Sequence, residues 1–600
     1  MRWMPGSSPG GAQVPRHGEI PSGRVAKSHH LMWRISIKQR RLLGGPQSSA
    51  TRGQGTPSGE RAQIVHSAFG TMQLSSAPDT DTLSPICPLD LLAARPLAMT
   101  SDAEVVATVQ QARRAQQAWR ELSIDERAER LRQAAKRMLA RRDELLVSLR
   151  EEIGKVDAEA MFNETLGPLD AVNAWTRVIK EHGSRERVSL NPINFPGKSA
   201  WIDLVPRGVI GVIAPWNYPV AGLYRAVFPA LLLGNAVVLK PSEYAPRSSG
   251  WFIDVLKSVL NEGLPEGLVA TVQGDGRTGQ ALLAAGIDAC VFTGSPTIGR
   301  TVQRRCAELG IVCSIETGGK DAAIILDDCD LERTVAGVTA WTLGNAGQAC
   351  GAIEIAYVTP GIADELVARL ARVFRRLRVA PAARGETDVA PLANRRQFDL
   401  VLAHIADAQK KGATLVCGGR PTGVGLFIEP TILDHCTADM DVVRDETFGP
   451  VLAIVRVEGV SEGIAAVNRS RYGLGASIWT RDVDRATRLA ERLDVGVVVV
   501  NNHALTGAMP ALPWSGTRET GTGIANSHHA LLTFARPKTV LIDRSDKPEL
   551  YWPPYDRGLV ELGDILCDVQ RGVLGRAWKL PLLLRERMSR LTSFFREAVR

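Results

Sequence analysis

Cysteine is scarce in this sequence, with nine among 600 residues, and no two of them are spaced as a Cys-x-x-Cys pair. Thiols this few and this dispersed do not form a disulfide framework, and none lies beside clustered histidines, so the sequence predicts no metal site. Four of the nine thiols fall in apolar segments and are expected in the core, namely Cys290, Cys306, Cys313 and Cys329. A reducing, cytoplasmic location follows as the expectation.

Long apolar runs are also missing. No stretch of about 18 apolar residues occurs, so no membrane-spanning helix is expected. The N-terminus has no apolar core of a secretory signal either.

The formal charge of +8 is concentrated at one end of the chain. Residues 1–71 hold ten Lys and Arg against two acidic residues, whereas residues 72–600 hold 62 of each sign. A main body without net charge has no general attraction for a phosphate polymer, so no nucleic acid partner is expected.

Two terminal segments depart from the rest of the chain. Residues 1–80 are rich in Gly, Ser, Pro and Arg without helical or strand periodicity, which predicts a non-globular extension or a translation start placed too early. An organellar targeting segment is a third interpretation. Residues 546–600 form a basic extension with interspersed aromatic residues; it either packs on the protein's own surface or contacts an anionic membrane.

Between the extensions, short apolar strands alternate with amphipathic helices, and ordered sequence is expected from about Asp90. Ser101 with Glu104, and Ser123 with Glu126, have capping-box spacing and predict two helices. Further helices are expected over 248–262 and 364–377. The predicted strands cover 207–214, 236–239, 269–272, 289–293, 311–316, 322–326, 354–358 and 495–501. This alternation predicts an α/β fold with parallel sheets covered on both faces.

Six short motifs occur in one order along this α/β segment. They are Pro215-Trp216-Asn217-Tyr218-Pro219, Lys240-Pro241-Ser242-Glu243, Phe292-Thr293-Gly294-Ser295 with Gly299, Glu316-Thr317-Gly318-Gly319-Lys320, Asn345-Ala346-Gly347-Gln348-Ala349-Cys350, and Glu446-Thr447-Phe448-Gly449-Pro450. Each motif alone is weak, but the ordered set resembles the aldehyde dehydrogenase superfamily over roughly residues 85–545.

The resemblance implies three catalytic residues. Cys350 would add as a thiolate to an aldehyde carbon, and the small residues around it are expected to leave room for the substrate. The site would have to favour the thiolate through a positive field or a base, since a free thiol has a pKa of about 8.5. Asn217 would donate to the resulting oxyanion, and Glu316 would activate the water that hydrolyses the thioester.

The resemblance also implies an NAD site, with NADP as a second option, although the chain has no Gly-x-Gly-x-x-Gly fingerprint. Gly294, Ser295 and Gly299, opening a helix, suit a pyrophosphate. Lys240 and Glu243 would contact the adenosine ribose, and the Glu243 charge would disfavour a 2′-phosphate. The other residues assigned to the cofactor are Trp216, Ser242, Gly318, Glu446 and Phe448.

In domain terms the resemblance implies two Rossmann-like parallel-sheet domains and a small β oligomerisation segment. The expected bounds are 81–315 for the NAD-binding domain and 316–515 for the catalytic domain. Residues 516–545 would return to pair with about 186–206 and mediate a homodimer or homotetramer.

Several positions differ from the family's usual residues and suggest a divergent subfamily: Ala226, Thr317, Ala322, Ile355, Ala390 and Arg518. Ala226 occupies a position where many members carry a lysine. The sequence does not specify the aldehyde, and an aliphatic aldehyde and a semialdehyde both fit. Two other hypotheses stay open: a catalytically silent NAD-binding scaffold, and a cysteine hydrolase, which would need a partner histidine that no motif supplies.

Overall fold

The computed structural model describes residues 82–192, 194–379 and 387–600. The predicted extension 1–80 lies outside these ranges. Structure begins earlier than the expected Asp90, because Thr82–Leu83 pairs antiparallel with Leu97–Ala98.

A layer of helices follows: Asp102–Glu121, Ile124–Ala140, Arg142–Ile153 and Pro168–His182. Both predicted capping boxes are formed, at Ser101 with Glu104 and at Ser123 with Glu126. These helices bury an apolar face against the first sheet and its helices, with Trp119 and Trp175 fully buried. A short helix, Asp157–Glu159, runs into a π-helical turn at Ala160–Thr165.

The first sheet has five parallel strands. In spatial order they are Val269–Thr271, Ala236–Lys240, Val209–Ile213, Ala289–Thr293 and Val312–Glu316. Its helices are Ala221–Leu232, Pro246–Leu260, Gly276–Ala284 and Pro296–Leu309. The central strands are buried along their whole length, as expected for a parallel sheet covered on both faces.

The second sheet has seven strands, and all neighbours are parallel except the first pair. The order is Thr414–Cys417, Thr431–Asp434, Val451–Arg456, Ile355–Val358, Ala322–Ile325, Gly475–Trp479 and Val497–Val500. The associated helices are Leu331–Leu343, Pro360–Phe374, Arg395–Lys410, Asp441–Arg444, Val460–Arg469 and Val483–Ala490. The prediction of an α/β fold with parallel sheets is confirmed.

A three-stranded antiparallel sheet lies apart from the two parallel ones, with the order Ala535–Asp543, Lys198–Pro206, Glu186–Val188. Ala535–Asp543 follows a short helix, Leu531–Phe534, and forms one edge of this sheet. Two more pairs of short antiparallel strands are present: Tyr472–Gly473 pairs with Thr517–Arg518, and Trp514–Ser515 pairs with Ile524–Ala525.

The C-terminal extension forms a helical hairpin. Arg557–Gln570 and Leu580–Val599 pack on each other around buried Leu562, Ile565 and Leu591. Arg587 is also buried and donates hydrogen bonds to the backbone carbonyls of Leu550, Trp552 and Pro554. None of the helices in the described ranges is both long enough and apolar enough to cross a membrane.

Some sequence expectations were wrong in detail. The helices expected over 248–262 and 364–377 are Pro246–Leu260 and Pro360–Phe374, each with proline in its first turn, where the missing N–H costs nothing. Cys313 is only partly buried, because its strand Val312–Glu316 is the edge of the first sheet.

Candidate active site

The segment before Cys350 has an unusual backbone. Asn345 and Ala346 adopt left-handed conformations, with φ of +53° and +54°. Two hydrogen bonds of Asn345 hold this turn: its backbone N–H donates to Glu159 Oε1 at 2.7 Å, and its amide Nδ2 donates to the Gln348 carbonyl at 3.0 Å. Non-glycine residues kept in this region store strain, which the surrounding contacts must offset. The thiol is therefore presented on a fixed turn.

The glycines near Cys350 are closely packed by other parts of the chain. A Cβ atom at Gly351 would lie 2.9 Å from Ala504 Cβ and 3.0 Å from the Trp514 ring. A Cβ at Gly347 would lie 2.1 Å from the Gly449 carbonyl oxygen. These glycines are needed because the protein itself packs tightly against the nucleophile turn.

Glu316 is brought next to the thiol from the first sheet. It is the last residue of the strand Val312–Glu316, and its Oε1 lies 3.5 Å from Cys350 Sγ. The same oxygen accepts a hydrogen bond of 2.8 Å from Trp514 Nε1. The carboxylate is thus oriented by an indole N–H while it faces the sulfur.

Asn217 lies in the turn between the strand Val209–Ile213 and the helix Ala221–Leu232. It is buried, and its Nδ2 donates to the backbone carbonyl of Gln348 at 3.0 Å, two residues before Cys350. Its own backbone carbonyl accepts a hydrogen bond of 2.8 Å from Lys155 Nζ. The amide is therefore attached to the nucleophile turn itself.

A buried ion pair supports the Asn217 turn. Lys155 Nζ lies 2.5 Å from Glu164 Oε1, and both side chains are fully buried. The other Glu164 oxygen accepts from the backbone N–H groups of Val220 and Ala221 at 3.1 and 2.7 Å. Since every charge in this pair has a partner, removing either one would leave an uncompensated ion in the core.

The electrostatic setting keeps the resting thiol protonated. Burial raises the pKa of Cys350 well above its usual value, and the neighbouring Glu316 carboxylate raises it further. Arg225 opposes this effect and lowers the pKa of Cys350. At neutral pH the thiolate must therefore form by proton transfer to a base, and Glu316 is within reach.

Glu446 is a second, partly buried carboxylate of the site. Its Oε1 accepts from the Gly319 N–H at 3.0 Å, and a Cβ at Gly318 would lie 2.1 Å from its Oε2. Burial, together with the nearby Glu354 charge, raises the pKa of Glu446 to about 8. A partly buried acceptor of this kind suits a hydroxyl donor such as a ribose.

The turn that carries Glu446 is held by another buried ion pair, Lys320 with Glu354. Glu354 accepts from the backbone N–H groups of Thr447 and Phe448, each at 2.8 Å. Phe448 has a φ of +51°, so this turn too is kept in a left-handed conformation by its contacts.

Lys240 and Glu243 lie at the carboxyl end of the strand Ala236–Lys240. Lys240 is buried, Glu243 is 42% exposed, and Nζ and Oε2 are 3.6 Å apart. Burial lowers the pKa of Lys240. Ser242 lies between them in sequence and is buried, and its Oγ accepts a hydrogen bond of 3.3 Å from the Tyr244 N–H.

The helix Pro296–Leu309 follows the strand Ala289–Thr293, which the strand Val209–Ile213 separates from Ala236–Lys240 in the sheet. Its N-cap Ser295 makes no side-chain cap, and Pro296 is its first residue. Gly299 lies within the first turn rather than opening the helix, and a Cβ there would lie 2.6 Å from Thr317 Cγ2. The Gly294 N–H donates to the Glu316 carbonyl at 3.1 Å, which joins this turn to the base.

These features fit a dinucleotide. The uncapped N–H groups of a 14-residue helix attract a pyrophosphate, and Lys240, Glu243 and Glu446 offer the polar partners for two riboses. The rings of Trp216 and Phe448 meet edge to face at 5.6 Å and supply apolar surface between these groups.

Four residues of the site lie outside the six sequence motifs. Glu316 is contacted by Trp514 and Arg225. Asn217 is contacted by Lys155, which in turn pairs with Glu164. Ala226, at the position where many relatives have lysine, is buried, and Arg225 is its neighbour. Within residues 82–600 as described, no group of three or more His, Cys, Asp or Glu is arranged to hold a metal ion.

Comparison with known proteins gives consistent matches. The family model described as "Aldehyde dehydrogenase family" matches residues 76–540. A 4,4'-diapolycopene aldehyde oxidase from Methylomonas sp is 35% identical over 79% of this chain and 88% of that protein. A succinate-semialdehyde dehydrogenase [NADP(+)] from Deinococcus radiodurans is 33% identical over 73% of this chain and 90% of that protein.

Solved structures match as well. An NADP dependent enzyme of E. coli superposes with a TM-score of 0.73 at 29% identity, covering 77% of this chain and 95% of its own. An NAD+ complex of aldehyde dehydrogenase from Bacillus cereus has a TM-score of 0.73 at 28% identity, covering 77% of this chain and 94% of that chain. Residues 541–600 lie beyond the family match.

Proposed function

The chain belongs to the aldehyde dehydrogenase family, and we propose that Cys350 is its nucleophile, Glu316 its general base and Asn217 a donor to the oxyanion. Its reaction is the oxidation of an aldehyde to the carboxylic acid with NAD(P)+. The observation that carries the assignment is the 3.5 Å approach of Cys350 Sγ to Glu316 Oε1.

The proposed sequence of steps starts with proton transfer from the thiol to Glu316. The sulfur then adds to the aldehyde carbon, and the carbonyl oxygen becomes anionic. One N–H of the Asn217 amide is donated to Gln348, and the second is available to that oxygen. A bound NAD(P) would supply the hydride acceptor for oxidation of this adduct to a thioester. Glu316 loses the thiol proton to solvent before hydrolysis, so that it is again a carboxylate. It then takes a proton from the water that attacks the thioester, and this proton returns to the sulfur as the C–S bond breaks and the acid is released.

The direct test is an NAD(P) reduction screen over aliphatic, aromatic and carboxylated aldehydes. Cys350→Ala and Glu316→Gln should abolish turnover, and Asn217→Ala should lower kcat by roughly 100-fold, as for the loss of one oxyanion donor. Turnover that survives loss of the thiol would overturn the assignment. Nucleotide binding without turnover on any aldehyde would instead support the silent-scaffold alternative.

For the nucleotide we propose NAD in preference to NADP. Glu243 is close to Lys240 and carries a charge that would repel a 2′-phosphate. Glu243→Gln should raise the ratio of kcat/KM for NADP over NAD, whereas Glu262→Gln, an acid on the surface after the Pro246–Leu260 helix, should leave it unchanged.

A homodimer or homotetramer is proposed through the edge strand Ala535–Asp543. One side of this strand pairs with Lys198–Pro206, and the other side has no strand on it within the described residues. Its Leu541 is 53% exposed, which is unfavourable for a free edge in water. Sedimentation of the protein and of Leu541→Glu tests this: the variant should dissociate toward the monomer.

We also propose that the protein resides in the cytoplasm and that its C-terminal hairpin makes a peripheral contact with an anionic membrane. The tip of the hairpin exposes Leu574 at 65% and Trp578 at 72%, and residues 569–585 hold four basic residues and no acidic one. Aromatic and basic residues together favour the headgroup region. Co-sedimentation should occur with vesicles containing anionic lipid, fail with zwitterionic vesicles, and be lost in Leu574→Ser/Trp578→Ser. Equal binding to both vesicle types, or none, would contradict the proposal.

A further inference from the structure

Arg225 lies beside the proposed base and has no role in the mechanism described so far. It projects from the helix Ala221–Leu232, which begins four residues after Asn217, and its side chain is 23% exposed. Its Nη1 lies 3.9 Å from Glu316 Oε2. The helix therefore brings a cation to the side of the carboxylate that faces away from the thiol.

The two oxygens of Glu316 have separate partners. Oε1 receives the Trp514 indole N–H and faces Cys350 Sγ, whereas Oε2 faces Arg225. Because the guanidinium does not occupy the oxygen that meets the thiol, it can hold the carboxylate without blocking the proton transfer.

The guanidinium itself is incompletely partnered. Nη1 is buried and has no hydrogen-bond partner among the described residues. The group also lies over the Trp514 ring, 5.9 Å from its centroid, so the indole contacts both the cation and the base. A partly buried guanidinium with one buried, unpaired nitrogen is costly unless a nearby negative charge compensates it.

That negative charge is the thiol–carboxylate pair. Cys350 and Glu316 together hold one proton in the working state and so carry one negative charge, before and after the S–H bond breaks and the O–H bond forms. The carboxyl groups that act on the thiol are Glu316, Asp321 and Glu446, and Arg225 is the cation that opposes them. Without Arg225, a second proton on the buried pair becomes more favourable, and the base is lost.

We infer that Arg225 is a positioning residue for the thiol–carboxylate pair: it orients Glu316 toward Cys350 and compensates the single negative charge that the two groups share. This inference rests on the proposed roles of Cys350 and Glu316.

The test compares Arg225→Met, Arg225→Lys and the wild type, with Arg369→Met as the matched control. Arg369 is an exposed arginine of the helix Pro360–Phe374 that pairs with Glu365. Alkylation of Cys350 by iodoacetamide is followed by peptide mass spectrometry against pH, without nucleotide. Arg225→Met should shift the alkylation profile to higher pH by about one unit or more, Arg225→Lys by less, and Arg369→Met not at all.

Steady-state kinetics supply the second measurement, with one neutral aldehyde and one aldehyde that bears a terminal carboxylate. Arg225→Met should lower kcat on both by roughly 10- to 100-fold with KM little changed, and Arg225→Lys should restore part of it. An unchanged alkylation profile overturns the inference. So does a loss confined to the KM of the carboxylated aldehyde, which would make Arg225 a substrate-binding residue.

Cys350→Ala is included so that two failures can be told apart. If that variant remains active, the proposed nucleophile is wrong, and the inference about Arg225 fails together with it. If it is inactive while Arg225→Met behaves as wild type in both measurements, only the inference about Arg225 fails. Thermal unfolding of each variant, and Arg225→Lys as the conservative change, separate these outcomes from loss of folding.

Discussion

The thiol of Cys350 lies 3.5 Å from the Glu316 carboxylate, although one residue follows a helix of the second sheet and the other ends a strand of the first. The carboxylate has two effects on the sulfur. Its charge raises the pKa of Cys350, and in the proposed mechanism it also accepts the thiol proton.

These two effects can be separated by Glu316→Gln. The variant should lose turnover because the base is gone, yet its Cys350 should alkylate at lower pH than in the wild type, because the carboxylate that raised the thiol pKa has become neutral. Iodoacetamide labelling against pH measures the shift. A variant that is inactive and also alkylates at higher pH than the wild type would contradict the assigned electrostatics.

Trp514→Phe removes the N–H that orients Glu316. A hydrogen bond to a charged group is worth about 1.5–3 kcal/mol, so kcat should fall by roughly 10- to 100-fold while the ring volume is largely kept. The control is Trp175→Phe, because the Trp175 indole N–H is buried and has no hydrogen-bond partner among the described residues. Equal losses in the two variants would mean that packing, rather than the hydrogen bond, is responsible.

Glu446→Gln tests the second, partly buried carboxylate in the protein without nucleotide. The folded-state pKa is raised to about 8, so Glu446 binds a proton more readily in the folded than in the unfolded chain. Its contribution to stability is full below about pH 4.5 and is lost as the pH rises through about 8. Urea unfolding of the wild type should therefore show a loss of a few kcal/mol over this window that the glutamine variant lacks.

Lys155→Met should lower the free energy of unfolding by about 3–5 kcal/mol, because it leaves the buried Glu164 charge without its cation. The double variant Lys155→Met/Glu164→Gln should lose less free energy of unfolding than Lys155→Met, since the glutamine can still accept hydrogen bonds from the backbone N–H groups of Val220 and Ala221. A double-mutant cycle by urea unfolding measures the coupling. Additive losses would mean that the two side chains act independently.

The sequence was sufficient for the parts of the fold that depend on local patterns. The capping boxes at Ser101 and Ser123 predict the first two helices because their hydrogen bonds span only three residues. Likewise, continuous apolar runs predicted the buried parallel strands. The position of Glu316 at a strand end followed from the same reasoning, whereas its catalytic role and that of Asn217 stay predictions.

The contacts made across long stretches of chain could not be predicted in this way. Trp514 is 198 positions from Glu316, and Lys155 is 62 positions from Asn217. No short motif joins such pairs, since they meet only after both sheets and the N-terminal helices have packed. For the same reason the sequence does not show that Trp514 packs against Gly351.

The short segment from Glu316 to Gly319 contacts both Cys350 and Glu446. The carboxylate of its first residue faces the sulfur, and the backbone N–H of its last residue donates to Glu446. Because only two residues separate Glu316 from Gly319, we expect a ligand that displaces Glu446 to act on Glu316 as well. By thermodynamic reciprocity, any nucleotide that alters the affinity of the thiol for a covalent reagent must have its own affinity altered to the same degree once the thiol is blocked. We therefore expect nucleotide binding near Glu446 and the reactivity of Cys350 to be coupled through this short segment.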